Sequence, residues 1–162
     1  MPLSPSFGGS NAASIADSNI GCRVRHTSNQ DITADTDTVM EFDAETFDND
    51  SMHDPCGLDQ RITINTPGKY LFFITILWQQ ETSGSREVQF RLNGACGDIV
   101  AASKEQFITS VGNRQNLSVV WDCISGDYME VIVYQDSACC IDLFVSQQSE
   151  WASRFAAALI SL

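Results

Sequence analysis

The chain has 162 residues, with 21 Asp and Glu against nine Lys and Arg and a formal net charge of −12. Ten of the carboxylates (Asp31, Asp35, Asp37, Glu41, Asp43, Glu45, Asp48, Asp50, Asp54 and Asp59) fall in 29 residues that hold no Lys or Arg, while the other 133 residues carry eleven acids and nine bases. The bases do not cluster along the chain, which argues against nucleic acid and against anionic membrane surfaces as partners. An apolar content of 43% over this length fits one globular domain.

Residues 1–21 are rich in Ser, Gly, Ala and Asn and contain Pro2 and Pro5, the composition of an extended arm rather than a packed unit. They lack the basic and apolar regions of a secretory leader, which predicts a product made and completed in a cytosol. From Cys22 to Thr27 the sequence alternates, with Cys22, Val24 and His26 on one face. Thr38 to Phe42 reads as a second short strand, and the acidic segment from Asp43 to Asp54 as a long loop. Arg61 to Ile64 follows, then a Pro67-Gly68 turn and the longest strand, Lys69 to Gln80. Arg86 to Leu92 turns Val88, Phe90 and Leu92 inward and stops at Asn93-Gly94, a hairpin signal. Strands are predicted at Asp98–Ser103, Asn116–Cys123, Tyr128–Gln135 and Ile141–Val145. The alanines of Arg154 to Ile160 allow a helix there. About ten short strands punctuated by turns predict an antiparallel β-sandwich or jelly roll over residues 22–162.

Tyr70 to Trp78 does not alternate, so both of its faces need cover. Tyr70, Phe72, Ile74, Ile76 and Trp78 suit the core. The opposite face, Leu71, Phe73, Thr75 and Leu77, is assigned to a subunit contact, with a loop of the same chain as the alternative. Tyr134, on a later strand with Tyr128 and Ile132, adds aromatic surface to the expected contact.

Little in the chain points to chemistry. The six cysteines form no C-x-x-C pair, and His26 and His53 lack zinc-finger spacing. Reduced structural thiols are the simplest reading, ahead of a disulfide or a metal site. Asp43, Asp48, Asp50 and Asp54 could offer oxygens to calcium, but no register supplies the Gly and Glu of an EF-hand, so a solvated loop is the plainer reading. No Gly-x-Ser-x-Gly elbow occurs, and His53-Asp54 reads as a loop pair. Trp121, alternating with Leu117 and Val119, reads as core rather than as a sugar platform. No catalytic residue, cofactor or enzyme activity is predicted.

Five motifs resemble the C1q and tumour-necrosis-factor-like jelly-roll family: Met52-His-Asp-Pro55 with Arg61-Ile-Thr-Ile64; Thr66-Pro-Gly-Lys-Tyr-Leu-Phe72; Arg91-Leu-Asn-Gly94; Ser125-Gly-Asp-Tyr128; and Phe155 to Ile160. The resemblance implies a final strand where the alanines allow a helix, and a homotrimer with Phe73 at its interface, in agreement with the contact read above for Leu71, Leu77 and Tyr134. The chain has no collagen-like Gly-x-y repeat. The Phe42-Asp43, Phe47-Asp48, Met52-to-Pro55 run is similar to C1q-like domains of bacteriophage structural proteins.

The resemblance implies a virion structural protein: a capsid decoration or cement trimer, assembled in the host cytoplasm and seated on the capsid exterior against the major capsid protein. Pro2, Leu3, Phe7 and Ile15 of the arm are the expected capsid contacts. The receptor-binding knob of a phage tail fibre or spike is the alternative, although the chain carries no stalk sequence.

Overall fold

The computed structural model describes residues 19–81, 83–94, 96–106, 113–137, 141–143 and 152–162. The arm positions Pro2, Leu3, Phe7 and Ile15, together with Cys139, Cys140 and Trp151, lie outside the described residues. Twelve strands run through the described chain: β1 (Gly21–Arg25), β2 (Gln30–Ile32), β3 (Thr38–Val39), β4 (Ala44–Asp48), β5 (Arg61–Thr63), β6 (Gly68–Trp78), β7 (Ser85–Leu92), β8 (Ile99–Gln106), β9 (Asn113–Cys123), β10 (Tyr128–Gln135), β11 (Ile141–Leu143) and β12 (Arg154–Ser161). Among the described residues no helix is long and apolar enough to cross a membrane.

The strands form two antiparallel sheets, an all-β jelly-roll sandwich. In the seven-stranded sheet β4, β1, β12, β6 and β9 lie side by side, and β11 and β2 continue from the end of β6. In the five-stranded sheet β3 and β5 both pair with β10, followed by β7 and β8. The alanine-rich C-terminus is therefore a strand. It sits between β1 and β6, its small side chains alternating with Phe155 and Leu159 inward.

Phe72 and Phe155 from one sheet meet Phe90 from the other, with ring centroids 6.3 and 5.7 Å from Phe90. Phe42 closes on Phe155 at 5.6 Å. Such tilted ring pairs add specificity to the area they bury. Cys22, Val24 and His26 are buried on one face of β1, as their alternation predicts. The buried phase of β7 also takes in Arg86, whose Nη1 donates to the carbonyls of Ser83 and Ser85 at 3.2 and 3.0 Å.

Two elements differ from the sequence reading. The acidic segment is not one loop: Ala44–Asp48 is strand β4, paired with β1 at the edge of the sheet, where charged side chains face solvent. Asn93-Gly94 does turn the chain, with φ of 59° and 87°, but the ladder resumes only at Ile99. The turn is braced from outside instead. Asn93 Nδ2 donates to Asp127 at 3.0 Å, and Asn93 Oδ1 accepts the backbone N–H of Tyr128 at 3.0 Å. Two of the family-like motifs, Arg91-to-Gly94 and Ser125-to-Tyr128, thus interlock.

Candidate interaction surface

Strand β6 shows two different faces. Tyr70, Phe72, Ile74, Ile76 and Trp78 are fully buried, whereas Leu71 and Phe73 are 40 and 41% exposed. Thr75 and Leu77, on the same outer face, are half-buried. The register carries this apolar surface across neighbouring strands. Leu71 lies beside Val120 of β9 and Ala158 of β12; Phe73 lies beside Ser118 and Ala156; Ala156 faces Arg23, and Arg23 faces Phe47 of β4. Phe47 and Val120 are exposed. Leu71, Phe73 and Leu77 are therefore brought together on one surface.

Tyr134 does not join them. It belongs to β10 in the other sheet, where its hydroxyl donates to Asp35 at 2.9 Å and the Lys104 ammonium lies 5.0 Å from the ring centre. Asp35 holds the Tyr134 hydroxyl above its usual pKa, because the hydrogen bond favours the protonated phenol. An aromatic residue at alternating spacing could not reveal which sheet its strand would join.

The surface also contains what the linear sequence hides. Arg23 and Arg25 from β1, Arg114 from β9 and Arg154 from β12 line two adjoining pockets, of about 340 and 300 Å³, that share Arg23 and Arg154. Phe47, Phe73 and Thr75 line the larger, and Glu45 and Thr46 complete the smaller. Bases scattered along the chain are thus clustered by the fold, which corrects the expectation that they do not cluster. The long-range field of a chain of net charge −12 still opposes a polyanion.

The four calcium candidates do not converge. Asp43 accepts from the backbone N–H and hydroxyl of Thr27. Asp48 accepts the N–H groups of Asp50, Met52 and His53 at 3.2, 3.0 and 3.0 Å. Asp50 takes Thr66 N–H, and Asp54 takes Cys56 N–H. These carboxylates terminate turns, satisfying backbone donors that the loop would otherwise leave open. Among the described residues no three His, Cys, Asp or Glu side chains gather as a metal site would need. His53 is buried, its Nδ1 3.1 Å from Glu45 and its Nε2 3.4 Å from the Asp59 carbonyl, so it ties β4 to the following loop.

Cys22, Cys56, Cys96 and Cys123 are free thiols. Burial, reinforced by Asp48 and Glu45, pushes Cys22 far above the ordinary thiol range, and burial with Asp127 and Asp122 raises Cys123 to about 11. Neither is placed as a nucleophile.

No protein-family profile matches this sequence, and no curated protein matches it. Solved structures do. The globular domain of zebrafish complement 1qA protein superposes with a TM-score of 0.62 at 12% identity, covering 87% of this chain and 97% of that one. Murine APRIL superposes with a TM-score of 0.64 at 10% identity, covering 86% of this chain and 98% of that one. The fold is the C1q/TNF-like jelly roll.

Proposed function

We propose that this chain is a non-catalytic structural module that assembles as a homotrimer through the outer face of β6. The observation that carries this reading is the partial exposure of Leu71 and Phe73, 40 and 41%, on one of the two longest strands of the seven-stranded sheet. Covering what remains exposed of Leu71, Phe73 and Val120 is worth about 1 kcal/mol each. The C1q/TNF-like fold supports three copies, the assembly that the family resemblance implies.

In its finer form the proposal seats the trimer on the exterior of a bacteriophage head, against the major capsid protein, after assembly in the host cytoplasm. The Phe42-Asp43, Phe47-Asp48, Met52-to-Pro55 run and the composition of the arm support this form. Light scattering on the purified chain should give three times its 17.8 kDa mass, and Phe73→Asp should give a folded monomer. A wild-type monomer at micromolar concentration rejects the assembly. Electron microscopy of phage heads incubated with the protein tests the location; density at tail tips, or none on the heads, rejects it.

A further inference from the structure

The outer face of the seven-stranded sheet gathers four of the nine cations of a strongly acidic chain: Arg23, Arg25, Arg114 and Arg154. The ladder between β1 and β12 sets Arg25 directly opposite Arg154. Glu45 lines the smaller pocket with Arg23, Arg25 and Arg154, one carboxylate among three of the four arginines. The larger pocket places Arg23, Arg114 and Arg154 around the side chains of Phe47 and Phe73. Guanidinium groups over an apolar floor fit a carboxylate, whose two oxygens match the planar fork of arginine and whose alkyl stem can rest on the rings.

We propose that these arginines receive carboxylates from a second copy of this chain, so that the contact between copies is ion-paired as well as apolar. The inference rests on the self-assembly reading above and names its chemistry. Charge complementarity points to the second copy. The chain itself displays exposed carboxylates in the stretch from Asp31 to Asp59, Asp31 and Glu41 among them. Copies that each carry −12 repel one another unless the contact places cations against those acids. A cyclic assembly brings the face of one copy against a different surface of the next, so donor and acceptor surfaces need not coincide.

Sedimentation of the full chain at 50 and 500 mM NaCl, for the wild type and for Arg23→Gln/Arg154→Gln, tests this, with thermal unfolding as the check on folding. The wild type should associate about tenfold more weakly at the higher salt. The double variant should associate about tenfold more weakly at the lower salt and respond little to further salt. A wild type that assembles equally at both salts, with a variant that matches it, overturns the inference and leaves self-assembly standing. A wild type that stays monomeric at both salts overturns both. A titration with sodium benzoate at constant ionic strength separates the source. Saturable binding that leaves assembly unchanged means that the pocket serves a free anion, and overturns the second copy as occupant.

Discussion

The indole Nε1 of Trp78 donates a 3.1 Å hydrogen bond to Oε1 of Gln115, and both side chains are fully buried. Gln115 then donates through Nε2 to the Ser103 carbonyl at 3.0 Å. Since Trp78 and Gln115 belong to β6 and β9 and Ser103 to β8, one amide joins the two sheets where the core ends. Gln115→Ala should cost about 2 kcal/mol, chiefly by leaving the indole N–H buried without an acceptor. Urea unfolding measures this, and a loss under half that size would mean that water replaces the amide.

The two interlocked loops make a second prediction. Asp127 accepts from Ile124 N–H at 2.9 Å and from the Asn93 amide at 3.0 Å, holding both the β9–β10 turn and the end of β7. Asp127→Ala should destabilise the fold by about 2 kcal/mol. Gly94→Ala should be harmful for another reason. Gly94 has φ of 87°, and an added Cβ would lie 2.7 Å from the Tyr128 hydroxyl.

Thiol chemistry should divide the described cysteines into two classes. Cys56 and Cys96 are exposed, whereas Cys22 and Cys123 are buried with raised pKa values. At pH 8 iodoacetamide should modify Cys56 and Cys96 in the native protein, and Cys22 and Cys123 only after denaturation. Peptide mass mapping reads this directly, and native labelling of Cys22 would contradict the packing of β1.

Asp136 gives a pH dependence of known sign. Its carboxylate accepts the backbone N–H of Ser85 and, at 2.7 Å, the Ser85 hydroxyl, which hold its pKa below the ordinary 3.8. The stabilisation is complete above the unfolded value and fades as pH falls through the lower, folded one. Asp136→Asn should therefore be slightly less stable at pH 7, by under about 1 kcal/mol because the group is open to solvent, with the gap closing in acid. Thermal melts of both proteins from pH 7 down to pH 3 test it; a gap that widens on acidification would reverse the assignment.

How much of this could be read from residues alone depends on whether the signal was local. The two faces of β6 were legible because nine consecutive residues, Tyr70 to Trp78, contain only one polar side chain. The jelly roll was legible from short strands broken by turn signals such as Pro67-Gly68 and Asn93-Gly94. Strand β4 was not, because an exposed edge strand needs no apolar alternation, and Ala-Glu-Thr-Phe-Asp has none. Strand β2 is three residues long, too short for periodicity to show. Gln115 was missed because the strand was expected to start one residue after it, which put a buried amide in the preceding loop. The arginine pocket had no local signal at all. Its arginines come from β1, β9 and β12, far apart along the chain, and are neighbours only through the β4–β1–β12–β6–β9 order.

That same order constrains how the protein comes into being. Among the described strands of this sheet β12 comes latest along the chain, yet it lies between β1, the earliest, and β6. The β1–β4 ladder and the ladders of β6 with β9 and β11 can close without it, but the two groups are joined only through residues 154–161. Until these are in place β1 has no route to β6, and the apolar sides of both stay available to wrong partners. A chain without residues 154–161 would hold two half-sheets with no strand to join them rather than a slightly smaller sandwich.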